Sequence, residues 1–128
     1  LLAEDGGYFD EFSERPIAFR IEGKSWVNNH AHVLRVREGV DFDFLFYSLV
    51  HKDIRPFING TTRTKLTKND MLSIEVQIPN YEVQKKIATI LNSIDKEIGL
   101  LERETELIKQ QKKGLMQLLL TGKVRVKC

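Results

Sequence analysis

A repeat of apolar residues near the C-terminus constrains this chain most strongly. Isoleucine or leucine recurs every seven residues, and a second row follows four residues after each. The first row is Ile87, Ile94, Leu101, Ile108 and Leu115, and the second is Leu91, Ile98, Thr105, Lys112 and Leu119. This heptad seam predicts a helical rod of roughly 50 Å, at 1.5 Å per residue, that pairs with another helix. Thr105 and Lys112 interrupt the second row, which indicates a specific partner, because polar seam residues fix register at a cost in stability.

The ends of the predicted helix carry the usual signals. Asn80 follows Pro79 and can cap the first turn, and Gly122 stands where a glycine stops a helix. We therefore predict a module over residues 1–78, a helix over 79–122 and a basic tail over 123–128. The rod is longer than so small a module can cover, so the seam needs a helix from another copy or from a missing part of the same chain.

The module combines short elements of both kinds. Residues 17–21 and 32–36 favour strands, and residues 72–78 alternate apolar and polar side chains, which is typical of a half-buried strand. Residues 41–54 favour a helix capped by Asp41. Its predicted apolar stripe is Phe42, Leu45, Phe46, Leu49 and Val50. The fold class predicted is α+β, a small mixed α/β module followed by one long coiled-coil-forming α-helix.

The segment 26–36, WVNNHAHVLRV, offers two histidines that could share a metal ion. His30 and His32 lie on one face of the predicted strand, but no ligand-spaced cluster accompanies them, so we favour structural histidines. No nucleotide-binding or nucleophile motif is present, so we expect no cofactor, no metal and no catalysis by this chain alone. The predicted core residues of this segment are Trp26, Val27, Val33, Leu34 and Val36.

The charge is distributed in local patches, although the formal net charge is only +2. Residues 52–68 hold five bases against Asp53, and residues 109–128 hold six bases and no acid. Exposed amides and bases of this kind favour nucleic-acid contact, with asparagine suited to adenine, Arg63 to guanine, and lysine or threonine to phosphate; an ordinary solvated face fits the charge alone equally well. The candidate DNA-binding residues are Lys24, Asn28, Asn29, Thr61, Thr62, Arg63, Lys65 and Lys68.

Cys128 is the only cysteine, and no apolar run reaches the roughly 18 residues of a membrane span. We therefore expect a soluble cytoplasmic protein with no membrane contact.

Residues 78–126 closely resemble the C-terminal helical region of the specificity (S) subunits of type I restriction-modification enzymes. The shared pattern starts at Pro79 and continues through a Glu-x-Gln-x-x-Ile step at 82–87, an Ile-Leu-x-x-Ile-Asp step at 90–95 and a Lys-Lys-Gly-Leu-Met-Gln ending within 112–123. Val83 stands where the family commonly has glutamate. The segments 26–36 and 60–79 also look like the second half of a target recognition domain, and the resemblance spans roughly residues 23–126.

The resemblance implies two target recognition domains held apart by two antiparallel helices, each domain reading one half of an interrupted site in double-stranded DNA. Methylation (M) subunits would dock on this scaffold and supply the chemistry, and restriction (R) subunits would join them. One domain and one helix are present here, so the chain is either a fragment of a longer subunit, which the first residue, Leu1, favours, or a half-subunit. In isolation we expect a homodimer through the seam. A coiled-coil interaction module without DNA binding is the alternative, and a histidine nuclease is a third hypothesis.

Overall fold

A computed structural model describes residues 1–60 and 64–127 of the chain. It divides into two units, one over Leu1–Ile90 and one from Leu91 onward. The regular elements are β1 (Leu2–Ala3), β2 (Ala31–His32), α1 (Phe42–Val50), α2 (Lys68–Leu72) and α3 (Tyr81–Leu120), with 3₁₀ turns at Phe9–Glu11 and Arg55–Phe57. The predicted class, an α+β module followed by one long helix, is confirmed.

The N-terminal segment lies at the centre of the module. β1 pairs antiparallel with β2, and Ala3 lies opposite Ala31. On the other edge of β1, the Ala3 amide donates to the Ile17 carbonyl at 3.2 Å. The Leu66 amide donates to the Glu4 carbonyl at 2.7 Å, just beyond β1. Three segments that are distant from one another in sequence are thereby joined to the N-terminal segment. Each of them supplies hydrogen-bond partners that the backbone of the N-terminal segment needs.

The core of the module is assembled from the same segments. Leu2, Ile17, Ile54 and Leu66 are almost completely buried, and burial of each such side chain contributes about 1.5–3 kcal/mol. Phe9, Ala18 and Leu49 complete the buried cluster. Partly buried side chains that include Leu34, Ile74 and Val76 pack against it.

Helix α1 begins where the sequence predicts. Asp41 is extended and its side chain accepts a hydrogen bond from the Phe44 amide at 2.9 Å, so the predicted cap is confirmed. The helix ends at Val50, earlier than the predicted residue 54. Its buried residues are Phe44 and Leu49, whereas Phe42 is 45% exposed. The predicted stripe was therefore wrong in including Phe42 and in omitting Phe44.

The predicted strands are much shorter or absent. Residues 17–21 form only an isolated bridge, at Ala18, and the predicted strand over 32–36 is reduced to β2. Residues 72–78 form no strand, because α2, capped by Thr67, runs into Leu72 and the residues after it are irregular. An alternating pattern indicates which side chains face the core, but it does not show that a second strand is present to pair with the segment. An extended segment that packs one face on the core, with no paired strand, can therefore show the same pattern.

The predicted core of the segment 26–36 is largely wrong. Trp26 is 98% exposed, Val33 is 54% exposed and Val36 is 37% exposed. Leu34 does pack against the core, and Val27 is half-buried. Because β2 contains only Ala31 and His32, the segment does not form the sheet on which the prediction of its core depended.

Helix α3 begins and ends inside the predicted range. The Asn80 side chain accepts from the Val83 amide at 3.0 Å, which confirms the predicted cap. Gly122 has φ of +70°, and its amide donates to the Leu119 carbonyl at 3.2 Å, as expected for a glycine that ends a helix. In the parts of the chain that are described, no helix is both long and apolar enough to span a membrane.

The predicted seam residues on α3 are exposed from Ile94 onward. The exposed fractions of the apolar ones lie between 41% for Leu119 and 56% for Leu101 and Ile108. Pairing of this stripe with another helix stays a prediction, as do the domain boundaries of the sequence analysis.

Candidate nucleic-acid interface

Two of the segments predicted to contact DNA lie beside the same N-terminal residue. The Asp5 carboxylate lies 2.8 Å from Nδ1 of His30, which follows Asn28 and Asn29. The backbone of Asp5 also forms an antiparallel bridge with Lys65. The structure therefore brings the two-asparagine turn and the base of the loop at 60–64 to one edge of the module, although the sequence separates them widely.

The two-asparagine turn is held by its own side chain. Oδ1 of Asn28 accepts from the His30 amide at 3.1 Å, which is the contact of an Asx turn. Asn28 and Asn29 are both exposed. The Asn28 oxygen is thus used within the turn, and Asn29 stands beside it as an exposed amide with both donor and acceptor atoms.

The histidines are engaged in hydrogen bonds to carboxylate or backbone oxygens. His32 Nε2 lies 2.8 Å from the Leu66 carbonyl oxygen, and His51 Nδ1 lies 2.6 Å from the Phe12 carbonyl oxygen. With the contact between His30 and Asp5, these are the partners expected of structural histidines. Within the described residues, no group of three or more histidine, cysteine, aspartate or glutamate side chains is placed to hold a metal ion.

The loop at 60–64, which carries predicted DNA-binding residues, is closed by backbone hydrogen bonds between the residues that flank it. The Asn59 amide donates to the Lys65 carbonyl at 2.9 Å, and the Lys65 amide donates to the Asn59 carbonyl at 2.8 Å. This reciprocal pair closes the loop formed by residues 60–64. Three candidate residues of that loop lie outside the described residues, namely Thr61, Thr62 and Arg63.

Asn59, which flanks the loop, also forms a hydrogen bond with a residue of α2. Nδ2 of Asn59 donates to the Asp70 carboxylate at 2.7 Å, and Asp70 in turn contacts the hydroxyl of Thr67, the cap of α2. Lys68, the first residue of α2, is exposed. These hydrogen bonds hold the two ends of the loop, Asn59 and Lys65, in place.

Two bases of the segment 52–68 are neutralised by acids. Nζ of Lys65 lies 2.8 Å from Oε1 of Glu4, and this hydrogen bond holds the pKa of Glu4 below its ordinary value. Arg55 donates to both carboxylate oxygens of Asp53, at 2.9 and 2.7 Å, which lowers the pKa of Asp53 and raises that of Arg55. The basic patch counted from the sequence is consequently weaker than it looked. Lys24 forms no ion pair in the part of the chain that the structure describes.

One positioning residue, Gln84, was not singled out by the sequence analysis. It is buried (1% exposed), and its Oε1 accepts from the Asp41 amide at 2.9 Å. Its Nε2 donates to the Gly39 carbonyl at 3.1 Å and to the Pro79 carbonyl at 2.8 Å. The side chain thereby fixes the first turn of α3 to the start of α1. The available signal was the Glu-x-Gln-x-x-Ile step, in which Gln84 is the central residue.

Several curated relatives are similar to this chain. The "type I restriction enzyme MjaVIII specificity subunit" of Methanocaldococcus jannaschii is 39% identical over 94 residues, which cover 70% of this chain and 22% of that protein. The "putative type I restriction enzyme MjaX specificity subunit" of the same organism is 43% identical, over 71% of this chain and 22% of that protein. The "putative type I restriction enzyme specificity subunit S.HindORF215P" of Haemophilus influenzae is 36% identical, over 73% of this chain and 24% of that protein.

The chain spans less than a quarter of the length of these relatives. No solved structure matches it significantly. The family model described as "Type I restriction modification DNA specificity domain" matches residues 16–110, which include most of the module and a large part of α3. The chain therefore belongs to the family of type I restriction-modification DNA specificity domains.

Proposed function

We propose that this chain is a DNA sequence-recognition part of a type I restriction-modification specificity subunit. It reads one half of a bipartite site in double-stranded DNA and has no catalytic role of its own. The observation that carries the proposal is the family match over residues 16–110. Methylation subunits, and through them restriction subunits, assemble on the scaffold that α3 provides, and the complex acts in the cytoplasm.

The DNA-facing surface is the edge beside Asp5. Asn28 and Asn29 face the bases there, because side-chain amides suit the donor and acceptor pattern of adenine. Arg63 contacts guanine, and Thr61 and Thr62 contact phosphate, from the loop whose end at Lys65 lies at the same edge. Lys24 and Lys68 hold the phosphate backbone, whereas Lys65, the third lysine predicted to bind DNA, is paired with Glu4.

The pairing of Lys65 with Glu4 modifies the role of this lysine. An ammonium group 2.8 Å from a carboxylate brings no net positive charge to a phosphate. Lys65 therefore cancels the charge of Glu4 beside the loop, and removing Glu4 releases it for the DNA. We expect Glu4→Gln to strengthen binding to duplex DNA and Lys65→Ala to weaken it.

The seam on α3 supports the scaffold role. Six apolar seam residues are 41–56% exposed within the chain itself, and water-exposed side chains of this size favour association. These residues are Ile94, Ile98, Leu101, Ile108, Leu115 and Leu119. The isolated chain pairs through them with a second copy, and Ile87 and Leu91 with Thr105 complete the helix-pairing interface.

The same exposed seam favours a second candidate function, a coiled-coil dimerisation module that does not bind DNA. The two candidates differ in their response to duplex DNA. A pairing module would associate with itself and would not bind DNA at any salt concentration. A recognition module binds DNA more weakly as the salt concentration rises, because its phosphate contacts release counterions.

The test is the anisotropy of labelled duplex DNA titrated with the full chain at several salt concentrations. We expect Lys68→Ala to weaken binding to all sequences and to reduce the slope of log affinity against log salt by about one. Gln111→Ala, an exposed substitution on α3, is the matched control and leaves binding unchanged. Absence of DNA binding at low salt, with self-association intact, would favour the second candidate.

A further inference from the structure

The indole of Trp26 is almost fully exposed to solvent. Its exposed fraction is 98%, although tryptophan is usually buried to a large extent in a folded domain. It lies in residues 24–28, which form no helix or strand. A large apolar side chain held in water is unfavourable by the hydrophobic effect, so a partner that covers it would gain the corresponding free energy.

The neighbours of Trp26 along the chain are polar and exposed. Lys24 precedes it by two residues, and Asn28 and Asn29 follow it closely. The adjacent apolar residue, Val27, is half-buried and so adds little apolar surface. Surfaces that dock proteins usually present several apolar side chains together. An exposed aromatic ring among a cation and two amides has instead the composition of surfaces that contact nucleic acid.

The backbone beside Trp26 is anchored. Asn28 accepts from the His30 amide, and the His30 ring contacts Asp5 in the N-terminal segment. The backbone of His30 also pairs with Glu4, whose amide donates to the His30 carbonyl at 2.9 Å. The exposed indole is therefore two residues from a turn that these three contacts hold in place. Because the nearby backbone is already held, fewer degrees of freedom are lost when a partner covers the indole.

We propose that Trp26 packs its indole against a base step of bound duplex DNA. This inference rests on the proposed function and adds to it an apolar contact between the lysine that binds phosphate and the amides that face the bases. Aromatic and apolar side chains are used in this way as wedges or stacking surfaces at base steps. In a duplex the indole parts two stacked base pairs, and the contact with the covered indole offsets the cost of unstacking them.

Tryptophan fluorescence tests the proposal directly, because Trp26 is the only tryptophan in the chain. The full chain is titrated with a pool of random-sequence duplex DNA at low salt, and binding is followed independently by the anisotropy of labelled DNA. We expect the emission of the free chain to be that of a hydrated indole and to be quenched readily by acrylamide. Saturation with DNA should reduce both the emission and the access of acrylamide.

Substitution adds a second measurement. We expect Trp26→Ala to weaken DNA binding about 5- to 150-fold, the range that corresponds to loss of one stacking contact. Trp26→Phe should retain most of the affinity, because an aromatic face remains. Both variants should keep the unfolding midpoint of the unchanged chain, since the exposed indole makes little contribution to the core.

The outcomes separate this proposal from the proposed function. If DNA binds with unchanged affinity to Trp26→Ala, and the emission of the unchanged chain does not respond, the stacking contact is refuted while DNA recognition stands. If no duplex binds at all, both are refuted. If acrylamide protection appears without DNA, at the protein concentration where the chain self-associates, the indole belongs to a protein interface and the proposal is overturned.

Discussion

Replacement of Gln84 by alanine should destabilise the module much more than a single polar substitution on a helix usually does. The side chain makes hydrogen bonds to three backbone groups, at Asp41, Gly39 and Pro79. At about 0.5–1.5 kcal/mol for each net hydrogen bond, the loss is about 1.5–4.5 kcal/mol. Helix propensity acts in the opposite direction and cannot explain this loss, because alanine is the best helix former.

The loss should also be local. Asp41 caps α1, and its amide would lose its acceptor, so the start of α1 and the first turn of α3 should open together. Urea unfolding monitored by near-ultraviolet circular dichroism gives the free-energy change, and hydrogen exchange of the Asp41 amide gives its location. Gln111→Ala, an exposed glutamine on the same helix, is the control and should change the free energy by less than about 0.5 kcal/mol. A Gln84→Ala variant as stable as that control would refute the assigned role of the side chain.

Three further outcomes are expected. The pKa of Glu4 is held below its ordinary value, so the stability from its lysine partner is present near neutral pH and is lost as the pH falls below about 4. The unfolding midpoints of the unchanged chain and of Glu4→Gln should therefore converge in acid. A difference between the two midpoints that stays constant with pH would contradict this. Leu101→Asp should convert the self-associated chain to monomer in light scattering, whereas Leu100→Asp, off the seam but also exposed, should not. Gly122→Ala should cost about 1 kcal/mol, measured as faster hydrogen exchange in the last turn of α3, because φ is +70° there; equal exchange would argue against this helix end.

The helices could be predicted from the sequence because their signals are local. Asp41 and Asn80 cap α1 and α3 through hydrogen bonds to residues three positions onward, and Gly122 ends α3 within one turn. Each signal is therefore contained in a few adjacent residues. The apolar repeat of α3 needed no tertiary information either, because the period of a helix alone determines its stripe.

The strands could not be predicted in the same way. A strand exists only where another segment pairs with it, and the pairing of β1 with β2 joins parts of the chain that are far apart. The alternation at 72–78 therefore marked the packing of Ile74 and Val76 on the core but not a sheet. Trp26 was wrongly predicted to be buried for a related reason, because the sheet expected for its segment is reduced to the two residues of β2.

The candidate site was predictable as a set of residue types but not as an arrangement. Lysine, arginine and asparagine in loops indicate nucleic-acid contact, and the sequence locates them. The sequence does not indicate that Glu4 lies 2.8 Å from Lys65, or that Asp5 contacts both the two-asparagine turn and the end of the loop at 60–64. Both contacts depend on the path of the N-terminal segment through the module. Gln84 was hidden similarly, since its three partners are set by tertiary packing.

The central claim is that this chain reads DNA sequence, and selection of duplexes from a random library by the full chain tests it most directly. We expect repeated rounds to enrich a short motif, and we expect the chain to bind that motif more tightly than a scrambled duplex at the same salt concentration. The variant Asn29→Ala, which leaves the turn contact of Asn28 in place, should lose this preference while it retains binding to phosphate. A library that remains random after selection, with no duplex preferred by the unchanged chain, would contradict the claim.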